Sequence, residues 1–166
     1  MFSMAEEDYV IRDLKLGYSG ILDFNELYKL LKSWFSSHKY VLAEADYNDV
    51  FKGELKDMRI KFKADRMVDD YHKFTIEVGI TIENHEVVVN KNKKFCKGNL
   101  KLKFESYVVR DYEETWEGRP VQKFFRGLYD KFVAGEKGSE LNKELKEETY
   151  EIFNEVKSFL NLYKFE

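Results

Sequence analysis

Strict alternation of apolar and polar residues fills the middle of this chain. Met58, Ile60, Phe62 and Ala64 fall on one side of a two-residue repeat, with Arg59, Lys61 and Lys63 on the other. From Tyr71 to Glu83 the pattern returns, with Phe74, Ile76, Val78, Ile80 and Ile82 facing one way. Val87 and Val89 open a further strand that turns at Lys91-Asn92. Leu100, Leu102, Phe104 and Val108 alternate again after a Lys97-Gly98 irregularity that reads as a bulge. Tyr40 to Val50 is a weaker version of the same signal. Period-two patterning joined by short turns predicts an antiparallel sheet with one wet face.

The ends of the chain carry a helical period instead. Asp23 and Glu26 make a D-x-x-E capping box, followed by Leu27, Leu30, Leu31, Trp34 and Phe35 on one stripe that ends near Ser37. A short strand over Tyr9 to Leu16 precedes it, with Gly17 to Gly20 expected to break that strand. Near the C-terminus, Pro120 suits the first turn of a helix bearing Val121, Phe124, Phe125, Leu128 and Phe132, which Gly135 and Gly138 would end. Ser139 would then cap a last helix with Leu141, Leu145, Thr149, Ile152, Val156 and Phe159 on one stripe. The order predicts an α+β fold. An antiparallel sheet of about five to six strands packs against an N-terminal helix and two C-terminal helices, in a single domain spanning 1–166.

Composition narrows the picture. A chain of 166 residues with 43% hydrophobic content can build a core of its own. The net charge of -3 conceals a chain that is 36% charged, so neither nucleic acid nor a membrane is expected as the main partner on charge alone. Cys96 is the sole cysteine, which excludes an internal disulfide and a thiolate zinc cluster. The first ten residues lack a basic segment followed by an apolar run, and no apolar stretch reaches membrane-spanning length. The expectation is a cytoplasmic protein without a transmembrane segment, a cofactor or a metal.

The candidate sites are three. In "RDYEETWEGRP", Arg110 and Arg119 could hold an anion near a helix start, Asp111, Glu113 or Glu114 could act as base and Trp116 as lid. The same residues also read as a polar joint between strand and helix. Lys91, Lys93, Lys94, Lys97, Lys101 and Lys103 crowd one hairpin without an acid among them, which suits phosphate or nucleic acid and equally a solvated face. Phe159, Leu162, Tyr163 and Phe165 make an aromatic end that must be buried in the domain or against a partner. His38, His72 and His85 show no metal-ligand spacing, and His72 could join Asp69 and Asp70 in a site at a loop edge. Cys96 has no partner base in the sequence. Phosphate loops, nucleophile elbows and zinc-helix motifs are not found.

Two resemblances follow from these residues. The run "GRPVQKFFRGLYDKF" and the closing "FLNLYKF" resemble a group of small archaeal proteins of unknown function, which implies no activity. The element order resembles the helix-grip fold of START-related and pollen-allergen lipid carriers, which implies a sheet wrapped around a long C-terminal helix over an apolar cavity. Those carriers usually place two helices after the first strand and one at the end; here one follows the first strand and two close the chain. The reading is therefore a non-enzymatic interaction or assembly module, with a homo-oligomer or another protein as partner. The alternatives are a binder of a hydrophobic small molecule, with Phe74, Ile76, Phe104, Phe124 and Phe153 lining its cavity, and a phosphate binder using the lysine hairpin. An enzyme built on Arg110 and Asp111 is the remaining possibility.

Overall fold

The computed structural model describes residues 6–53, 55–110 and 134–163. Five strands, β1 (Glu6–Leu22), β2 (Val41–Lys52), β3 (Leu55–Met67), β4 (His72–Asn90) and β5 (Lys93–Arg110), form one antiparallel sheet. Their order is β1-β5-β4-β3-β2, so the first strand closes against the last. Helix α1 (Phe24–Ser37) links β1 to β2, and the 30-residue α2 (Ala134–Tyr163) packs over β1 and β5 and against α1.

Alternation fixes the inner face. Ile60, Phe62 and Ala64, then Phe74, Ile76, Val78, Ile80 and Ile82, then Leu100, Leu102, Phe104 and Val108 are all buried. Their odd neighbours, the lysines and glutamates, face water. The stripe Leu27, Leu31, Trp34 and Phe35 of α1 is buried on the same core, and Asp23 caps the helix by accepting the Glu26 N–H at 3.3 Å. In α2 the buried stripe is Leu141, Leu145, Thr149, Ile152, Val156 and Leu160, with Phe159 partly buried beside it. The apolar residues among these form a single cluster.

Several boundaries differ from the sequence expectation. Gly17 and Gly20 do not break β1, which continues to Leu22 because β5 supplies partners along its whole length. Gly135 and Gly138 lie inside α2, which begins before Ser139; the apolar stripe that follows offsets the roughly 1 kcal/mol each glycine costs. Val87 and Val89 belong to β4 itself. The irregularity near Gly98 is real, but the extra residue sits on the facing strand. Asn84 and His85 lie between the pairs Glu83↔Asn99 and Glu86↔Lys97, opposite Gly98 alone. A Cβ at Gly98 would lie 2.7 Å from the Glu83 carbonyl oxygen, so that position needs glycine. The Pro120 helix lies outside the described residues.

Candidate functional site

The hairpin between β4 and β5 turns at Lys91 and Asn92, whose φ angles of 51° and 64° give the left-handed pair that matches strand twist. Pairing of β3 with β4 ends at Lys56↔His85, so Glu86 to Asn90 run on beyond β3, paired with β5 as an arm. The root of this arm is built from the bulge. Asn84 adopts φ 56°, and its N–H donates to the buried Asp57 Oδ1 at 3.0 Å. His85 is thereby turned into the protein, where its Nε2 lies 3.1 Å from Cys96 Sγ.

The electrostatics of this corner keep the pair neutral. Burial, and then Lys56, push the His85 imidazole below its ordinary pKa. Burial, and then Asp23, push the Cys96 thiol up, against the pull of Lys56 and the Phe24 N–H at the start of α1. An uncharged thiol and an uncharged imidazole thus share one hydrogen bond, whose direction follows the imidazole tautomer. An un-ionised thiol of this kind is a packing and hydrogen-bonding group, not an activated nucleophile. His85 Nδ1 is buried and has no hydrogen-bond partner among the described residues. Asp23 ties the arm to α1, since its second carboxylate oxygen meets Lys93 Nζ at 3.0 Å. Burial alone would raise its pKa, but Lys93 and the Glu26 and Asn25 N–H groups hold it below the usual range.

Around this corner the apolar surface is open. Phe51 is 75% exposed, Val89 63% and Val87 53%. The ladder sets Val87 opposite Cys96 and joins Phe51 to His85 through Lys56. Exposed lysines 91 and 94 border the arm. The end of the sheet is thus a polar root carrying apolar side chains into water.

The residues singled out from sequence are scattered. Arg110 closes β5 at the other end and pairs with Asp8 Oδ2 at 2.9 Å. Asp111, Glu113, Glu114, Trp116 and Arg119 lie outside the described residues. His72 is buried, and Asp69 accepts from the N–H groups of Tyr71 and His72 and also contacts the His72 ring at 3.1 Å, which makes a turn cap. Within the lysine hairpin, Lys93 binds Asp23, Lys101 binds Glu83 at 2.9 Å, and Lys103 binds Glu105 at 2.7 Å and Asp13 at 3.3 Å. Lys91, Lys94 and Lys97 are exposed. Leu162 is exposed on α2, while Phe165 and the side chain of Tyr163 lie outside the described residues. Sequence reasoning missed the Cys96–His85 pair. Counting back from the Lys91-Asn92 turn would have set His85 and Cys96 on one face, had the strand been read through the bulge.

No protein-family model matches this chain, and no curated protein matches it. Among the described residues no helix is long and apolar enough to cross a membrane, and no group of three or more His, Cys, Asp or Glu could hold a metal ion.

Proposed function

We propose that this protein is a non-enzymatic interaction module that docks a protein surface at the open end of its sheet. The observation that carries the reading is the exposure of Val87 and Val89 on an arm braced by Asp57, Gly98 and the Asp23–Lys93 pair, with exposed Phe51 on β2 across the intervening β3. Apolar side chains presented on a braced scaffold suit recognition, because little ordering entropy is lost on binding. The neutral Cys96–His85 pair beneath them supports a binding role over covalent catalysis. The partner surface would have an apolar centre and an acidic rim facing Lys91 and Lys94. Native mass spectrometry of gently purified protein tests this. Expected is a defined assembly, of copies or with a second protein, that Val87→Asp combined with Val89→Asp dissolves while the melting temperature holds. A bare monomer at every concentration, from cells in which nothing co-purifies, would overturn it.

A second reading has an observation of its own. The closure of β1 on β5 and the long α2 lying over both are what a helix-grip carrier requires. On the inner face, Ser106 Oγ is fully buried and has no hydrogen-bond partner among the described residues. Such an orphan hydroxyl is where a bound apolar molecule would place its one polar group. Extra mass of small-molecule size in the same spectrum would favour this reading.

A further inference from the structure

Gly17 and Gly79 sit in the interiors of β1 and β4 on the wet face, and nothing in the fold asks for glycine at either place. Neither has a positive φ. A Cβ at Gly17 would meet nothing within 4 Å, and one at Gly79 would meet only the Lys103 carbonyl oxygen at an ordinary 3.9 Å. Glycine inside a strand costs about 0.5–1 kcal/mol, and its use often marks close approach of something to the backbone.

The ladder shows what surrounds them. One cross-strand row reads Gly17, Lys101, Thr81 and Arg59; the next reads Lys15, Lys103, Gly79 and Lys61. Across β1, β5, β4 and β3 these two rows contain only cations, glycines and a threonine; on the edge strand β2 they end at Asn48 and Asp46. The acids lie on the margins: Glu83 on one side, with Asp13, Glu77 and Glu105 on the other. Three surface hollows, of about 480, 210 and 170 Å³, are all lined by Gly79 and together follow these rows. The result is a shallow trough across β1, β5, β4 and β3, about 14 Å long at the usual strand spacing.

From this we infer that the outer face of the sheet binds a single linear phosphate chain laid across the strands, with the phosphodiester backbone of single-stranded nucleic acid as its source. The acidic margins restrict the occupant to one chain's width, because a duplex would set phosphates against Glu77, Glu83 and Glu105. Gly17 and Gly79 let the chain approach the sheet, and Thr81 offers a hydroxyl donor. The pairs Lys101–Glu83, Lys61–Glu77 and Lys103–Glu105 hold the ammonium groups along the trough, and exposed pairs of this kind are exchanged for phosphate at little cost. This differs from binding at the hairpin tip, since Lys91 and Lys94 take no part.

The experiment is fluorescence anisotropy with a short labelled single-stranded oligonucleotide at about 50 mM salt, with inorganic polyphosphate as competitor. Expected is binding that weakens about tenfold in Gly17→Val combined with Gly79→Val, whose melting temperature is unchanged or higher because valine suits a strand. Should that variant fold poorly, Lys15→Ala combined with Arg59→Ala serves instead, lowering affinity and reducing the salt slope by about two. Lys91→Ala with Lys94→Ala should leave affinity as it was. Direct binding of polyphosphate, read by calorimetry, in the absence of oligonucleotide binding would assign the same trough to polyphosphate and overturn nucleic acid as its source. No binding of either probe, equal binding of duplex, or full affinity in the glycine variant with loss in the Lys91/Lys94 variant would overturn the inference.

Discussion

The two ends of the sheet solve the same problem in opposite ways. Where α1 ends and β3 ends, polar groups bind the layers together. Tyr40 OH donates to Glu148 Oε2 at 2.5 Å, and Arg66 donates to Glu148 at 2.8 Å, to Glu144 at 3.1 Å and to the His38 carbonyl at 3.1 Å. The Arg66 guanidinium also lies over the Tyr40 and Phe74 rings, at 4.9 and 5.0 Å. His38 stacks on Trp34 and reaches Glu151. At the other end, the His85–Cys96 pair is neutral, and the arm carries Val87 and Val89 past the core. One end spends its side chains on joining α1, β3 and α2. The other leaves apolar side chains unused by the fold, which is why it is the candidate for recognition.

The largest effect should come from breaking the closed end. Arg66→Ala removes a cation that touches Glu144, Glu148 and the Tyr40 ring, and leaves a carboxylate only 14% exposed beside a phenol. The expected loss is about 2–3 kcal/mol of unfolding free energy, because stranding a largely buried charge costs more than the pair itself contributes. Urea denaturation measures it. A loss below about 0.5 kcal/mol would mean that the network is decoration and that packing alone joins the helices to the sheet.

Next comes the root of the arm. Gly98→Ala forces a methyl against the Glu83 carbonyl oxygen and within 2.9 Å of Ile82 Cγ2. Backbone must shift, at an expected cost of about 1–3 kcal/mol. Amide exchange should show Asn84 and its neighbours losing protection before the closed end does. Uniform loss along β4 would show that the arm is not a separate unit.

The contrast between the ends also explains what was legible in the sequence. The inner face was readable because alternation and burial obey one rule, and α1 was readable to the residue because Asp23 and Glu26 announce its start. Bounds failed where tertiary partners overrode local signals. β5 carries β1 through Gly17 and Gly20, and the core stripe of α2 carries it through Gly138. The candidate site was hidden for a related reason. One inserted residue at Asn84 and His85 shifts the alternation, so β4 reads as two strands and His85 loses its connection to Cys96. Arg110 was legible as a charged joint. Its partner, Asp8, lies across a strand pair that no local pattern reveals.

The smallest effect sharpens the comparison most, because it separates the ends by pH. His85 has its pKa lowered in the folded protein, first by burial and then by Lys56, with Asp49 opposing. Above the ordinary value of 6.5 both folded and unfolded chains hold it neutral, and it contributes no slope. As pH falls below 6.5 the unfolded chain takes up a proton that the folded corner refuses, so stability drops until the depressed pKa is reached. The slope cannot exceed about 1.4 kcal/mol per pH unit for one proton. The closed end is held by the Glu144 and Glu148 pairs to Arg66, whereas His85 lies at the open end, so the loss that His85 causes on acidification belongs to the open end. His85→Gln, which keeps a hydrogen-bonding group near Cys96 but cannot titrate, should flatten the stability profile just below pH 6.5 and leave the deeper acid limb in place. An unchanged profile in that variant would place the acid sensitivity elsewhere and remove His85 as the group that sets the open end apart.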